Sequence, residues 1–145
     1  MLLTLGVLFV TVVLIFPLVF EPVVQLRAES PSGNPFSIQL LVANQNMTPV
    51  TDVEYTCEVS TLTKPGGAEV TGAGVLIRGT IRTIPGRRAI AEPCETAFVE
   101  GPVQTAEFKV TISYRMYPLP KHRTSVHYVA AQVDRNGRVT GWRVK

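Results

Sequence analysis

The chain has 145 residues, of which 46% are hydrophobic and 17% charged, with a formal net charge of +3. That length suits one domain, and the composition excludes a disordered acidic or basic tail protein. Eleven Gly and 11 Pro favour strands and turns over a helical bundle, while two cysteines are too few for a disulfide-dense scaffold or a four-ligand zinc site.

The first 20 residues carry no charged side chain, and apolar character continues past Glu21 to Leu26. About 20 apolar residues at a rise of ~1.5 Å match a hydrocarbon core of roughly 30 Å. Residues 1–26 are therefore expected to form a transmembrane helix in contact with membrane lipid, with Pro17 near its exit. A cleaved signal peptide is the main rival reading, and an internal core helix the lesser one. The former wants a basic residue before the apolar run, which is absent, and a small-x-small cleavage site, where the candidate Leu26-Arg27-Ala28 has a large residue in place of a small one. Residues 27–35, rich in Pro, Gly and Ser, read as a linker, and residues 36–145 as the body of the protein.

The body has a period of 2. In the segment 50–60, Val53, Tyr55, Cys57 and Val59 alternate with Asp52, Glu54, Thr56 and Glu58. In 106–116, Phe108, Val110, Ile112, Tyr114 and Met116 alternate with Glu107, Lys109, Thr111, Ser113 and Arg115. Such alternation marks antiparallel strands with one face on a core and one in water. Further strands are expected at Phe36–Ala43, at Val75–Ile84 and at Arg88–Glu92. The second is interrupted by Gly79 as a bulge or a close backbone approach, and the third is stopped by Pro93. Pro85-Gly86 supplies the turn between those two. Asn136-Gly137 predicts a two-residue type I′ hairpin that pairs Arg135 with Arg138, Val133 with Thr140, Ala131 with Trp142 and Val129 with Val144.

Roughly seven strands at short spacing predict an all-β, antiparallel β-sandwich behind one N-terminal transmembrane helix. With Cys57 and Trp142 facing inward, the stretch from Phe36 to Val144 resembles, at fold level, the immunoglobulin-like or fibronectin-III-like sandwich. It departs from the antibody pattern, because Trp142 follows both cysteines and Cys94 sits after Pro93. A fold likeness of this kind implies no activity.

Cys57 and Cys94 are read as a structural disulfide, against free thiols or a redox pair; the spacing lacks the C-x-x-C of a redox site. A disulfide favours an extracytoplasmic body, so the chain is expected to be a single-pass protein of the plasma or inner membrane with its C-terminal domain outside the cytoplasm. His122 and His127 have no third partner at ligand spacing, so no metal and no other cofactor is expected. No nucleophile motif marks a catalytic site, and no small-molecule substrate is inferred. Asn46-Met47-Thr48 fits a glycosylation acceptor but reads as a plain turn.

Charge is polarised along the chain. Residues 1–107 carry 6 basic and 10 acidic side chains, whereas residues 108–145 carry 8 basic and one acidic. Arg115, Lys121, Arg123, Arg135, Arg138, Arg143 and Lys145 form a candidate basic contact surface for an acidic protein, anionic lipid or envelope polymer. The competing reading is charge balance against acidic strands such as those of Glu54 and Glu58. Nucleic acid is not expected, since aromatic interleaving is missing. The expected function is a non-catalytic, membrane-anchored binding or assembly module. Its alternatives are an accessory subunit of a transport or secretion complex acting through its helix, or an enzyme with an unrecognised site.

Overall fold

The structure is a computed structural model that describes residues 24–29, 37–72, 76–95, 104–116 and 121–145. The expected transmembrane helix falls largely on residues outside this set, and none of the described residues forms a helix long and apolar enough to cross a membrane. Among the described residues there are nine strands: β1 (Val24–Glu29), β2 (Ser37–Asn44), β3 (Val50–Thr63), β4 (Glu69–Thr71), β5 (Leu76–Ile84), β6 (Ala89–Glu95), β7 (Thr105–Met116), β8 (Lys121–Val133) and β9 (Val139–Val144).

All pairings are antiparallel. One sheet has the order β1-β2-β6; the other runs β4-β3-β7-β8-β9, with β5 also on β3. Because β4 pairs with Thr61–Thr63 and β5 with Val50–Glu58, the two share one edge of β3 in succession. The alternation in β3 and β7 drives the packing: Val53, Tyr55, Cys57, Val59, Phe108, Val110 and Ile112 are buried and meet Leu26, Ile38, Leu40 and Val42 of the other sheet in one core. Phe108 and Trp142 meet edge to face, with centroids 5.2 Å apart.

Several expectations are corrected. Residues 24–29, divided in the sequence between anchor and linker, form β1, whose Leu26 is buried while Gln25, Arg27 and Glu29 are exposed. Strand period rather than helix length governs there, because alternate polar residues cannot all face lipid or core. Pro93 does not stop β6, which pairs with β2 through Glu95. Among the described strands β6 lies at the edge of its sheet, so the missing N–H falls on the side away from β2. Cys94, expected outside a strand, is thereby aligned opposite Ile38.

At the β8–β9 hairpin the expected partners Ala131/Trp142 and Val129/Val144 are found, but the tip differs. Asp134 accepts hydrogen bonds on its side chain from the backbone N–H of Asn136 and Arg138, both at 2.8 Å. Only Gly137 takes a positive φ, of 74°. The Asp134 turn thus lengthens the loop by one residue, and a register shift beside Gln132/Val133 restores the pairing.

Gly79 is a close approach and not a bulge: it sits opposite Tyr55 in an unbroken β3–β5 ladder, and a Cβ there would collide with the Tyr55 ring. A true bulge lies in β3, where the register against β7 shifts between Thr51 and Glu54 and Asp52 adopts φ 48°. It turns both Val50 and Val53 into the core.

A disulfide joins Cys57 of β3 to Cys94 of β6, with Cα atoms 6.2 Å apart, and so ties the two sheets together. It closes a separation of 37 residues, worth about 3–4 kcal/mol on the chain-entropy account. Replacing both cysteines by Ala is expected to lower stability by that amount, read as the fall in unfolding free energy extrapolated to water from urea titration. Gly79→Ala is expected to cost about 1–3 kcal/mol by overpacking against Tyr55, measured the same way.

Candidate functional site

Antiparallel pairing fixes which loops share an end of the molecule. At one end lie the start of β1 (Val24 opposite Asn44), the β2–β3 turn, the β5–β6 turn, the end of β7 and the start of β8. At the other lie the β3–β4 turn and the β8–β9 hairpin. The first is the entry end and the second the hairpin end. The 13 residues of β8 separate them by roughly 40 Å at strand rise.

The seven basic residues singled out in the sequence are spread over this length. Arg135 and Arg138 are exposed at the hairpin end. Arg143 is exposed on β9 opposite Ala130, and Lys145 bonds the Glu107 carboxylate. Arg115 lies towards the entry end, 3.5 Å from Asp52, and its Nε donates to His122 Nε2 at 2.8 Å. Arg123 is opposite Tyr114, on the inner side of β8, and Lys121 opens that strand. Lys109 and Glu58 add a further exposed pair at 3.9 Å. Exposed pairs of this kind contribute roughly 0–1 kcal/mol each, so their main effect is to offset charge on the outer sheet face. What stands apart is the hairpin tip, where Arg135 and Arg138 flank the turn built on Asp134.

His122 and His127 lie on the same strand at an odd spacing, which puts their side chains on opposite faces. They cannot hold one ion together, and no group of three or more His, Cys, Asp or Glu suited to a metal is present among the described residues. His127 Nε2 lies 3.2 Å from Ser125 Oγ, and burial lowers its pKa, favouring neutral imidazole. In the acceptor pattern, the Asn46 side-chain nitrogen is buried within its turn and is not presented for modification.

Sequence patterns left two polar devices unnoticed. Tyr55, buried in β3, donates its hydroxyl to Glu92 of β6 at 3.1 Å and so bridges the two sheets beside the disulfide. Its only signal in the sequence is the glycine opposite it, whose partner cannot be guessed without the register. The second is the fully buried Asn44. Its Nδ2 donates to the carbonyls of Thr48 at 2.8 Å and Ile84 at 3.2 Å, while its Oδ1 accepts from the Asn46 N–H at 3.1 Å. Asn44 thus binds the two entry-end turns to each other, helped by a backbone bond of 2.8 Å from Arg87 N–H to Asn46 carbonyl.

Burial and the Glu92 carboxylate push the Tyr55 phenol from 10.0 up to about 12. The folded chain then holds that proton more tightly than the unfolded chain. The resulting stabilisation is fully present below pH 10.0 and is lost as pH rises through about 12. Tyr55→Phe is expected to remove this part of the alkaline loss and to cost about 1 kcal/mol near neutral pH, checked by urea unfolding across that range.

Comparison with known proteins finds no matching family model and no matching curated protein. The functional reading therefore rests on how the fold places its ends, its cross-sheet bridges and its charges.

Proposed function

We propose that this protein is a non-catalytic binding or assembly module, anchored in a membrane by its N-terminal apolar run and displaying a sandwich of immunoglobulin-like type outside the cytoplasm. The observation that carries the reading is polarity along the long axis. The uncharged run of residues 1–20 leads within four residues into β1 at the entry end, and Arg135 and Arg138 lie at the opposite end. An anchored chain of this design holds its basic tip about 40 Å from the bilayer, beyond the Debye length of roughly 8 Å. An acidic segment of a protein partner or an acidic envelope polymer is the fitting target there, since lipid head groups are out of reach.

The intersheet disulfide supports an oxidising compartment. The Tyr55–Glu92 and Asn44 bonds support a rigid platform, which limits the ordering cost of association. The immunoglobulin-like likeness is supported by two antiparallel sheets joined through Cys57 and Cys94 around a core that includes Trp142.

The test uses the full chain in detergent micelles and immobilised poly-L-glutamate as the acidic probe. Binding is expected to weaken steeply as salt rises and to fall at least about tenfold when Arg135→Glu and Arg138→Glu are combined. Binding that ignores both salt and the substitutions overturns the reading.

A further inference from the structure

The entry end has its own exposed surface, distinct from the hairpin. Met47, at the tip of the β2–β3 turn, is 75% exposed, the most open large hydrophobic residue of the described chain. Arg87 and Arg88 of the neighbouring β5–β6 turn are exposed beside it, and Arg82 is exposed on β5 just before that turn. The turns are locked in register: Arg87 N–H bonds the Asn46 carbonyl, Asn44 N–H bonds the Arg88 carbonyl at 2.9 Å, and a Cβ at Gly86 would strike the Met47 backbone. Asp52, the acidic residue of β3 nearest this end, is offset by Arg115. Arg87 adopts φ 56°, a conformation in which Gly carries no steric cost and Arg does. The charge therefore occupies a position that local backbone preference would give to Gly.

We infer that this end is a docking surface for anionic lipid, with Met47 entering the head-group region and Arg87 and Arg88 contacting lipid phosphates. The inference rests on the membrane-anchored reading above. Its occupant follows from chain length: from residue 20, the last of the uncharged run, to Val24 is four residue steps, which span at most about 14 Å. Head groups occupy roughly 5–8 Å beyond the hydrocarbon core. The entry end is thus held within about a Debye length of lipid phosphates, close enough for unscreened attraction. A flexible apolar thioether beside cationic side chains matches the amphipathic chemistry of that zone. The domain then stands on the bilayer by two contacts, its chain entry and this rim, which hold its long axis upright and its hairpin outward.

The experiment uses the full chain reconstituted into vesicles of phosphatidylcholine, alone or mixed with phosphatidylglycerol. An environment-sensitive fluorophore is placed at Met47→Cys or, as a control at the far end, at Arg135→Cys; the native cysteines are joined to each other and leave one free thiol. Spin-labelled lipid is expected to quench the label at position 47 but not at 135, and more strongly in the anionic vesicles. Arg87→Gly combined with Arg88→Gln removes both charges and relieves the positive φ, so loss of fold does not confuse the result. It is expected to shift the docked-to-undocked ratio roughly thirtyfold. A chain that resists carbonate extraction yet leaves label 47 as unquenched as label 135 overturns this inference alone. Equal quenching without anionic lipid overturns the lipid assignment. A chain that carbonate washes off the vesicles overturns the anchored reading and this inference with it.

Discussion

The structure depends on one constraint, the attachment of β6 to β3 across the core. The chain passes from one sheet to the other through the β5–β6 turn, and β6 holds only an edge position in its new sheet. Ladder bonds to β2 alone would leave that strand free to slide or peel. Cys57–Cys94 fixes it covalently, and the Tyr55 hydroxyl fixes it again at Glu92. Gly79 makes room for the ring that carries that hydroxyl. Covalent bond, buried hydrogen bond and vacant side-chain position form one unit, and the three-stranded sheet is positioned by it.

β3 is the member on which the other elements converge. It pairs with β4 and β5 along one edge and with β7 along the other, and it supplies both Cys57 and Tyr55. Its two register shifts against β7 allow a 14-residue strand to bend across the core without turning polar residues inward. Asn44 does the corresponding work at the entry end, where four groups from two separate turns meet one amide. Asn44 and Tyr55 each place a polar side chain inside an apolar domain with its own partners supplied, which makes them sources of specificity as well as stability.

Local periodicity made much of this legible. The alternation around Tyr55 and Ile112 identifies β3 and β7 and their inward faces, and the inward position of Cys57 followed from it. What periodicity missed has a common cause, since it reports faces and not neighbours. β1 was hidden because Val24 and Leu26 continue an apolar run that is read first as a helix. Pro93 reads as a stop because edge and central strands look alike until the sheet order is known. The Asn136-Gly137 dipeptide implies too short a turn because the Asp134 side chain, outside the dipeptide, captures two backbone N–H groups. The basic cluster was legible as composition, but strand direction sends its members to opposite ends of the molecule. No one-dimensional pattern carries that information.

Pro93 has a consequence beyond the course of its own strand. An open sheet edge presents N–H and C=O groups that another chain can copy, and such copying is favoured when molecules are crowded side by side. Proline withdraws one donor from the outer margin of β6, at the residue next to the cysteine that anchors the strand. A neighbouring strand approaching there would meet a gap in its ladder and a pyrrolidine ring in its path. The same residue that interrupts the sequence pattern thus serves as a barrier to self-association along that margin, at no cost to the pairing on the inner side.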